Sequence, residues 1–376
     1  MCGRTSKRKQ YDPDTLKLAF TAIKEQNISV YSAARFFNVP ESTLRDRTRG
    51  HVPILDTSAV FRLFTQDQEE TLFSFVKFMF DKGYSYRQKD ILNMASEYAF
   101  SIGKRSREGK NACGRNWFYG FAKRWPELTN IKGIEEVTKL QEESYFEWLR
   151  TTIVHHSLED RPDSIYCVDD LGICTDKHPH GIIGENVPGK PTCNTEDVDV
   201  IIIGGANVMG SQITPSYVFV GDKWKSDCSI PNNRWLDQNI LNSDSIKNYL
   251  EDHFLKQVKR EGNNPILILF NTKMSFILLT LADWAKDNNI ILMVLPPSSK
   301  YCNFQKFDLF SSEDFCNSYE EEFVLFSDSN LSKQAYQNIA DNVYQKTVTK
   351  ENLTLAFNKS GIYPLEETES SGADDS

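Results

Sequence analysis

The sequence lacks long apolar runs, paired cysteines and a phosphate-binding glycine loop. No run approaches the ~18 apolar residues of a membrane-spanning helix, so we expect no membrane partner. The 8 cysteines are scattered without paired spacing, which is typical of reduced thiols in the cytosol or nucleus. Gly204-Gly205 follows an apolar run but lacks the rest of a nucleotide-binding fingerprint. We therefore expect no small-molecule substrate.

Histidine is also scarce, with 6 in 376 residues. By residue type alone, the candidate ligands of a zinc site are His155, His156, Cys174, His178, His180 and Cys193. Their spacing matches no compact zinc module, and the stretch has the composition of a loop. Zinc is therefore not expected.

Charge is divided unevenly along the chain. Residues 1–140 hold 24 Lys and Arg against 16 Asp and Glu, a net charge of +8. The remaining residues hold 19 against 36, a net charge of −17. This asymmetry predicts a polyanion-binding N-terminal third and an acidic body, although charge drift along a large protein is an alternative.

Three short helices are predicted in residues 11–55, behind a basic arm at 1–10. Apolar residues recur at helical spacing over 16–23 and again over 30–37. Pro40 then breaks the second helix. The arm contains Lys7, Arg8 and Lys9, and it is open to three interpretations: a nuclear-import signal, a phosphate-gripping arm or a solvated tail.

The third helix, 41–49, has the composition of a DNA-recognition helix that stops at Gly50. Leu44 faces inward, while Ser42, Arg45 and Arg49 share an outer face. Arginine can pair with guanine in the major groove, and hydroxyl groups can contact bases or phosphates. The candidate DNA-binding residues are Ser42, Thr43, Arg45, Arg47 and Arg49. The alternative is a plain three-helix domain with a solvated basic face.

A second helical module is predicted in residues 62–130. Its apolar stripes are Leu72, Phe75, Val76 and Met79, then Ile91, Met94, Ala95 and Tyr98, with Trp117, Phe121 and Trp125 four residues apart. We expect these aromatic side chains in the core rather than stacked on bases. The loop that contains Lys104, Arg105 and Arg107 suits contact with a DNA backbone, or else a solvated surface.

The pattern changes near residue 163. Strands are predicted at 165–168, 198–203, 217–221, 265–270 and 290–295, with helices at 245–259 and 275–287. This order predicts a mixed sheet flanked by helices. Three segments carry a metal-capable side chain: Asp169 and Asn271 each end an apolar run, and Asp308 follows the Pro-Pro that closes another apolar run. Ligands gather at such strand ends.

The chain resembles the pogo/Tigger/Jerky group of DDE transposases and their domesticated descendants. Five segments carry the resemblance in the group's order: 33–44, 116–128, 165–172, 295–308 and 356–364. Among them, Ile165-Tyr166-Cys167-Val168-Asp169-Asp170-Leu171-Gly172 resembles the group's "Y-N-V-D-E-x-G". The resemblance implies an α+β multidomain chain in which all-α helix-turn-helix modules precede a ribonuclease-H-like α/β domain with a mixed sheet.

The implied domains are a basic arm (1–10), a pipsqueak-type helix-turn-helix (11–55), a centromere-protein-B-type helix-turn-helix (62–130), a degenerate DDE domain (140–345), a C-terminal helix and turn (346–365) and an acidic tail (366–376) that is expected to be disordered. In such a domain Asp169, position 271 and Asp308 would form the catalytic triad and hold two Mg²⁺ ions roughly 4 Å apart. Position 271 is Asn where the group has Asp.

Other departures surround the same site. Lys273 stands close to the altered position, Asp170 replaces a Glu, residues 298–302 replace a His-containing loop, and Lys306 replaces a Pro. An amide can ligate a metal ion but carries no charge, so Mg²⁺ should be bound weakly at Asp169 and Asp308, or not at all. We therefore expect a vestigial triad and no required cofactor, with Mg²⁺ relevant only to residual activity.

The sequence thus predicts a nuclear, sequence-specific binder of double-stranded DNA that is not expected to be an enzyme; homodimerisation and a role in transcription or chromatin are left open. The main alternative is an active Mg²⁺-dependent endonuclease or transposase. A third is a decaying transposase copy without a selected role.

Overall fold

The computed structural model describes residues 13–50, 63–104, 113–128, 137–174, 181–182, 198, 200–220, 243–260, 262–270, 276–297, 307–310, 312–324 and 332–365. The chain divides into two compact units, Met1–Gln68 and Glu69–Ser376. No helix in these ranges is both long and apolar enough to cross a membrane.

The first unit contains three helices, α1 (Pro13–Glu25), α2 (Val30–Phe36) and α3 (Glu41–Thr48). The small side chains of Ala19 and Ala33 are fully buried, so the helices approach one another closely. The cluster of buried residues at their junction consists of Leu16, Ala19, Ala33, Ala34, Val39 and Leu44. A small core of this kind leaves most of each helix exposed to solvent.

Short-range signals fix where these helices begin and end. Ser29 caps α2, since its hydroxyl accepts the N–H of Ser32 at 3.1 Å. Asn38 adopts a positive φ of 52° between α2 and α3, and Pro40 is the N-cap residue of α3. Gly50 follows α3 with a φ of 76°, a conformation that glycine adopts without strain. The predicted break and stop are confirmed.

The second unit starts with a helical module made of α4 (Gln66–Asp81), α5 (Gln88–Ser101) and α6 (Arg115–Arg124). The first residues of α4 belong to the first unit. The predicted stripes are largely buried, but Phe75 and Tyr98 are only half-buried and Phe73 is buried instead. Trp125 stacks on Phe73, with ring centroids 4.4 Å apart. The aromatic side chains therefore belong mainly to the core.

A mixed sheet follows, whose strands are β1 (Ile165–Cys174), β2 (Gly181–Ile182), β3 (Val200–Asn207), β4 (Gln212–Phe219), β5 (Ile266–Phe270) and β6 (Ile290–Val294). The strand order is β4-β3-β1-β5-β6, and β2 pairs with the end of β1. The pairs β1–β3 and β3–β4 are antiparallel, whereas β1–β5 and β5–β6 are parallel. The predicted mixed sheet is confirmed.

Helices cover both faces of the sheet. They are α7 (Lys139–His155), α8 (Ser243–Tyr249), α9 (Leu255–Gln257), α10 (Phe276–Thr280), α11 (Ala282–Asp287), α12 (Ser312–Val324), α13 (Lys333–Thr347) and α14 (Lys350–Lys359), with a 3₁₀ turn at Pro162–Ser164 and a π-helical turn at Leu250–Phe254. Val168, Phe270 and Ile277 belong to the core on one face. On the other face the Tyr344 hydroxyl donates to the carbonyls of Gly205 and Ile213.

Several boundaries differ from the predicted ones. The strand expected at 217–221 is β4 and lies earlier, because β3 and β4 form a hairpin whose turn contains Gly210 with a φ of 80°. The helix expected at 245–259 begins at Ser243, and its π-helical turn separates α8 from α9. The helix expected at 275–287 is divided at Leu281 into α10 and α11. The pairing of β4 with β3, which local periodicity does not report, sets the limits of β4.

The helical module and the sheet body share extensive polar contacts within the second unit. Ser243, at the start of α8, donates its hydroxyl to the Glu97 carboxylate of α5 at 3.1 Å. The Lys82 ammonium donates to the Ser144 hydroxyl of α7 at 2.7 Å. The buried Tyr84 hydroxyl donates to the Leu295 carbonyl just after β6. These contacts fix the module against the body.

Candidate nucleic-acid interface and acidic strand edge

Helix α3 packs against its neighbours through one buried side chain, so its outer face is exposed to solvent. Leu44 is fully buried against α1 and α2, while Ser42, Arg45 and Arg49 are exposed. Because side chains three and four residues apart lie on one side of a helix, these three form a continuous polar face. The structure thus brings together the side chains that the sequence assigned to this face.

Not every polar side chain of α3 is extended into solvent. Arg45 forms an ion pair with Glu41 one turn earlier. Thr43 and Arg47 are half-buried, and an Arg47 guanidinium N–H donates to the Thr43 carbonyl at 3.3 Å. The Thr48 hydroxyl donates to the Leu44 carbonyl at 3.0 Å. Exposed ion pairs are weak, so Arg45 can exchange Glu41 for another anion at little cost.

A second polar face lies on α6, the third helix of its module. Its exposed residues are Arg115, Asn116, Tyr119 and Lys123, and Tyr119 is 60% exposed. The sequence-based prediction for this module concentrates on the basic loop after α5 and misses this face. The spacing of Asn116, Tyr119 and Lys123, at three and then four residues, is the signal that could have found it.

Other predicted DNA-binding residues are only partly within the described ranges. Lys104 is half-buried just beyond α5, and its backbone N–H donates to the Ala99 carbonyl at 2.7 Å. Lys7, Arg8, Lys9, Arg105 and Arg107 lie outside the described residues.

The second candidate site, called the acidic edge below, consists of Asp169 and Asp308. Asp169 lies in the middle of β1. This residue is 7% exposed and is paired in antiparallel register with Gly204 of β3. One of its carboxylate oxygens accepts the N–H of Asp170 at 2.8 Å. Asp169 is therefore a buried acid of the sheet rather than an ordinary exposed one.

Gly204 explains how the segment of Asp308 reaches this strand. A Cβ at Gly204 would lie 3.0 Å from the Phe310 ring, 3.0 Å from the Tyr344 ring and 3.1 Å from the Leu309 side chain. Asp308 is half-buried, and its carboxylate accepts the N–H of Phe310 at 3.1 Å. The absence of a side chain at Gly204 thus lets residues 309 and 310 pack directly beside the position of Asp169.

A buried thiol lies beside both acids. Cys167 precedes Asp169 by two residues on β1 and is fully buried. Burial raises the pKa of the Cys167 thiol well above its usual range, and the carboxylates of Asp169 and Asp308 raise it further. Sequence reasoning missed this residue, although a period of two places residues 167 and 169 on the same face of a strand.

The third member of the predicted triad, Asn271, lies outside the described residues. The last residue of β5 is Phe270, which pairs with Val168 next to Asp169. Within the described ranges there is no group of three or more His, Cys, Asp or Glu side chains that could hold a metal ion. The described residues of this site that the structure brings together are thus the carboxylates of Asp169 and Asp308 and the thiol of Cys167.

Two family comparisons concern the N-terminal third. Residues 12–55 match the helix-turn-helix Psq domain, and residues 65–133 match the Tc5 transposase DNA-binding domain. These ranges coincide with α1–α3 and with α4–α6.

Two curated relatives match at low to moderate identity. The chain is 32% identical over 114 residues, 30% of its length, to chaetoglobosin A biosynthesis cluster protein C of Chaetomium globosum. It is 22% identical over 350 residues, 89% of its length, to the MFS-type transporter clz9 of Cochliobolus lunatus. The matched part of the chain covers 26% and 34% of these proteins, so it spans about a quarter to a third of their length.

A solved structure, the Mos1 strand transfer complex, aligns over 93% of this chain and 98% of its own at 11% identity. Its TM-score of 0.25 is too low for any conclusion about the fold. The N-terminal third is therefore similar to a helix-turn-helix Psq domain over residues 12–55 and to a transposase DNA-binding domain over residues 65–133.

Proposed function

We propose that this protein binds double-stranded DNA sequence-specifically in the nucleus and that its body no longer cuts DNA. The observation that carries the proposal is the exposed face of Ser42, Arg45 and Arg49 on α3, within the Psq-type domain. A helix about 10–12 Å across fits the major groove, where Arg45 can pair with guanine and Ser42 can contact a base or phosphate.

The second domain adds a separate set of contacts. Asn116 on α6 has the amide chemistry that pairs with adenine, and Arg115 and Lys123 suit phosphates. Lys104, Arg105 and Arg107, together with Lys7, Arg8 and Lys9, would contribute contacts to the DNA backbone that are independent of base sequence. Affinity should therefore fall steeply with salt, while specificity depends on the α3 and α6 faces.

The test is selection of duplexes by the full chain, followed by fluorescence anisotropy on the selected and scrambled sequences. Arg45→Ala should weaken binding to the selected duplex by about 1–3 kcal/mol and change scrambled DNA less. Lys359→Ala removes a positive charge from α14 and serves as the control. Failure to select any sequence, or equal losses on both duplexes, would exclude sequence-specific reading by α3.

For the body we propose a ribonuclease-H-like domain with a vestigial metal site. The strand order β4-β3-β1-β5-β6, with three antiparallel strands and then two parallel ones, supports this assignment. The packing of residues 309 and 310 at Gly204 supports an approach of Asp308 to Asp169. The body would then serve as a scaffold or a partner surface.

Asp169 and Asp308 are the residues that would hold Mg²⁺, and the bound ion would polarise a phosphate oxygen. Oxygen ligands from carboxylates suit this cation. Asn271 supplies no charge, and the loss of one carboxylate beside two dications costs on the order of several kcal/mol of binding. By calorimetry, Asn271→Asp should restore Mg²⁺ or Mn²⁺ binding if the remaining loops still assemble the site. No gain would mean that the loops have also lost it.

An active nuclease is the second candidate, and the burial of Asp169 beside the Asp308 segment favours it. It predicts nicking of supercoiled DNA with Mg²⁺ or Mn²⁺, abolished in Asp169→Asn. Nicking activity that persists in the Asp169→Asn variant would come from a contaminating nuclease. Nicking that disappears would overturn the proposal of a non-cutting body.

A further inference from the structure

An aromatic ring stands at the centre of the outer face of α6. Asn116, Tyr119 and Lys123 are exposed and lie three and then four positions apart, so they share one side of the helix. The structure describes every residue of α6, and Tyr119, at 60% exposure, is the one large apolar side chain among them that is exposed. When α6 enters a groove of DNA, this ring lies in the middle of the face that meets the bases.

The Tyr119 ring contacts a second ring that belongs to the core. Phe118 is fully buried, and its ring meets the Tyr119 ring edge-on, with centroids 6.2 Å apart and planes 72° apart. A side chain that is already ordered loses little conformational entropy when a ligand packs on it. The exposed surface of the Tyr119 ring is therefore suited to binding by apolar contact.

The nearest cation is engaged within the protein. Arg124 lies back along α6, since a Cβ at Gly120 would be 3.1 Å from its Nη1 atom. Its guanidinium donates to the buried carboxylate of Glu69 at 2.7 Å. Gly120 itself adds no side chain beside Tyr119. An apolar surface thus remains at the centre of a face whose other exposed side chains are polar.

We propose that the Tyr119 ring reads the C5-methyl group of a pyrimidine in the major groove. This inference rests on the proposed function, because it needs α6 to enter that groove. Thymine presents its C5-methyl group there, and apolar side chains recognise it by direct contact. Because 5-methylcytosine presents the same group in the same place, the ligand class is a 5-methylpyrimidine within duplex DNA.

Asn116 and Tyr119 are spaced to read neighbouring base pairs. An α-helix rises about 1.5 Å per residue, so the two side chains start about 4.5 Å apart along the helix axis. Successive base pairs are about 3.4 Å apart. The Asn116 amide suits adenine. Helix α6 should therefore prefer an adenine next to a base pair that carries a 5-methylpyrimidine.

The Tyr119 hydroxyl offers a different contact, a hydrogen bond to a phosphate oxygen, which carries no base information. That hydrogen bond is lost in Tyr119→Phe, whereas the ring contact is retained. Tyr119→Ala removes both. Since Tyr119 is exposed, neither change should disturb the core. The two variants therefore separate contact with a methyl group from contact with a phosphate.

The experiment measures the affinity of the full chain for its selected duplex by fluorescence anisotropy. Each thymine is replaced in turn by deoxyuridine, which lacks the methyl group. At least one replacement should weaken binding of the wild type roughly fourfold, the effect of burying one methyl group. Tyr119→Phe should show the same loss, and Tyr119→Ala should bind the thymine and deoxyuridine duplexes equally.

A second arm replaces each cytosine by 5-methylcytosine, to identify the other source of the methyl group. A gain of similar size that requires the ring at position 119 would assign the contact to 5-methylcytosine. Phe100→Ala is the matched control, because it removes a ring with 48% exposure from α5. It should keep the wild-type response to both base changes, and circular dichroism checks that every variant is folded.

The outcomes distinguish this inference from the proposed function. Failure to select any duplex would overturn the proposed function, and this inference with it. A selected duplex without methyl dependence at any pyrimidine, or with methyl dependence that survives Tyr119→Ala, overturns this inference alone. Equal behaviour of Tyr119→Phe and Tyr119→Ala also overturns it, since the hydroxyl would then make the contact.

Discussion

In the N-terminal unit the candidate functional side chains stand outside a core of small residues, whereas in the body they lie within or beneath packed structure. Ser42 and Arg45 are exposed above the buried Leu44. Asp169 is buried in a central strand, and Leu309 and Phe310 pack beside its partner Gly204. A DNA-reading face thus needs only a stable helix, while an acidic edge needs several distant segments to meet.

The difference has a consequence for mutation. A change on α3 alters an exposed face and should leave folding nearly intact. A change at the strand edge disturbs close packing, so it lowers stability before any chemistry is affected. Four experiments test this contrast, and their expected effects differ in size.

The largest effect is expected in the second unit at the pair of Arg124 and Glu69. Glu69 is 3% exposed, and the Arg124 guanidinium donates to its carboxylate at 2.7 Å and through a second N–H. Arg124→Ala leaves a buried carboxylate without its partner and should lower the free energy of unfolding by about 3 kcal/mol. Urea denaturation measures the loss. Lys346→Ala, which breaks a pair in which the Lys346 side chain is 58% exposed, should cost under about 1 kcal/mol.

A buried thiol in the second unit should make the protein less stable at alkaline pH. Burial raises the pKa of the Cys113 thiol from 9.0 to about 12, with a further rise from Glu69 and an opposing effect of the hydrogen bond with Ser96. The folded chain therefore keeps this proton after the unfolded chain has lost it. The contribution of the Cys113 thiol to the free energy of unfolding is complete below pH 9 and declines as the pH rises from about 9 towards 12. Near pH 10.5 it has fallen by about 2 kcal/mol.

Thermal unfolding between pH 8 and 11, compared with Cys113→Ala, isolates this contribution. The variant should show a shallower decline, because its unfolded state has one fewer thiol to ionise. Identical slopes would show that Cys113 is not the group responsible.

The next effect concerns the two adjacent glycines of β3. A Cβ at Gly204 would lie 3.0–3.1 Å from three side chains, while one at Gly205 would have no neighbour nearer than 3.3 Å. Gly204→Ala should cost about 1–2 kcal/mol through overpacking, and Gly205→Ala should cost less. Chemical denaturation of both variants measures the difference. Equal costs would argue against close packing of Phe310 at this strand.

The smallest effect is expected on α3. Glu41 is the ion-pair partner of Arg45, and it competes with DNA for the guanidinium. Glu41→Gln should raise DNA affinity a few-fold, in line with the ~0–1 kcal/mol of an exposed pair. Asp46→Asn makes the same change of charge on the same helix and measures the general electrostatic term. If the two variants raise affinity equally, the pair with Arg45 has no role of its own.

Sequence reasoning succeeded where the signal is local. Helical periodicity, the proline at 40 and the glycine at 50 placed α1–α3 and their limits, and Leu44 was correctly assigned to the core. It was less accurate where strands pair over long distances. The β3–β4 hairpin shifted β4 several residues from its predicted position, because register depends on the partner strand.

At the acidic edge the sequence supplied Asp169 and Asp308 but not their surroundings. The role of Gly204 as the point of close approach, and the burial of Cys167 beside the two acids, depend on segments that are far apart in the chain. A glycine inside a strand often marks a close approach, but it does not indicate which distant segment makes the contact.

The sequence alone determined that helical modules precede a mixed sheet, which residue types lie on the outer face of α3 and that position 271 is Asn, because these depend on residue type and local spacing. The tertiary structure set which polar side chains remain exposed and how the Asp308 segment reaches the strand of Asp169. Each of these is a property of long-range packing, since exposure and proximity exist only after distant segments have met.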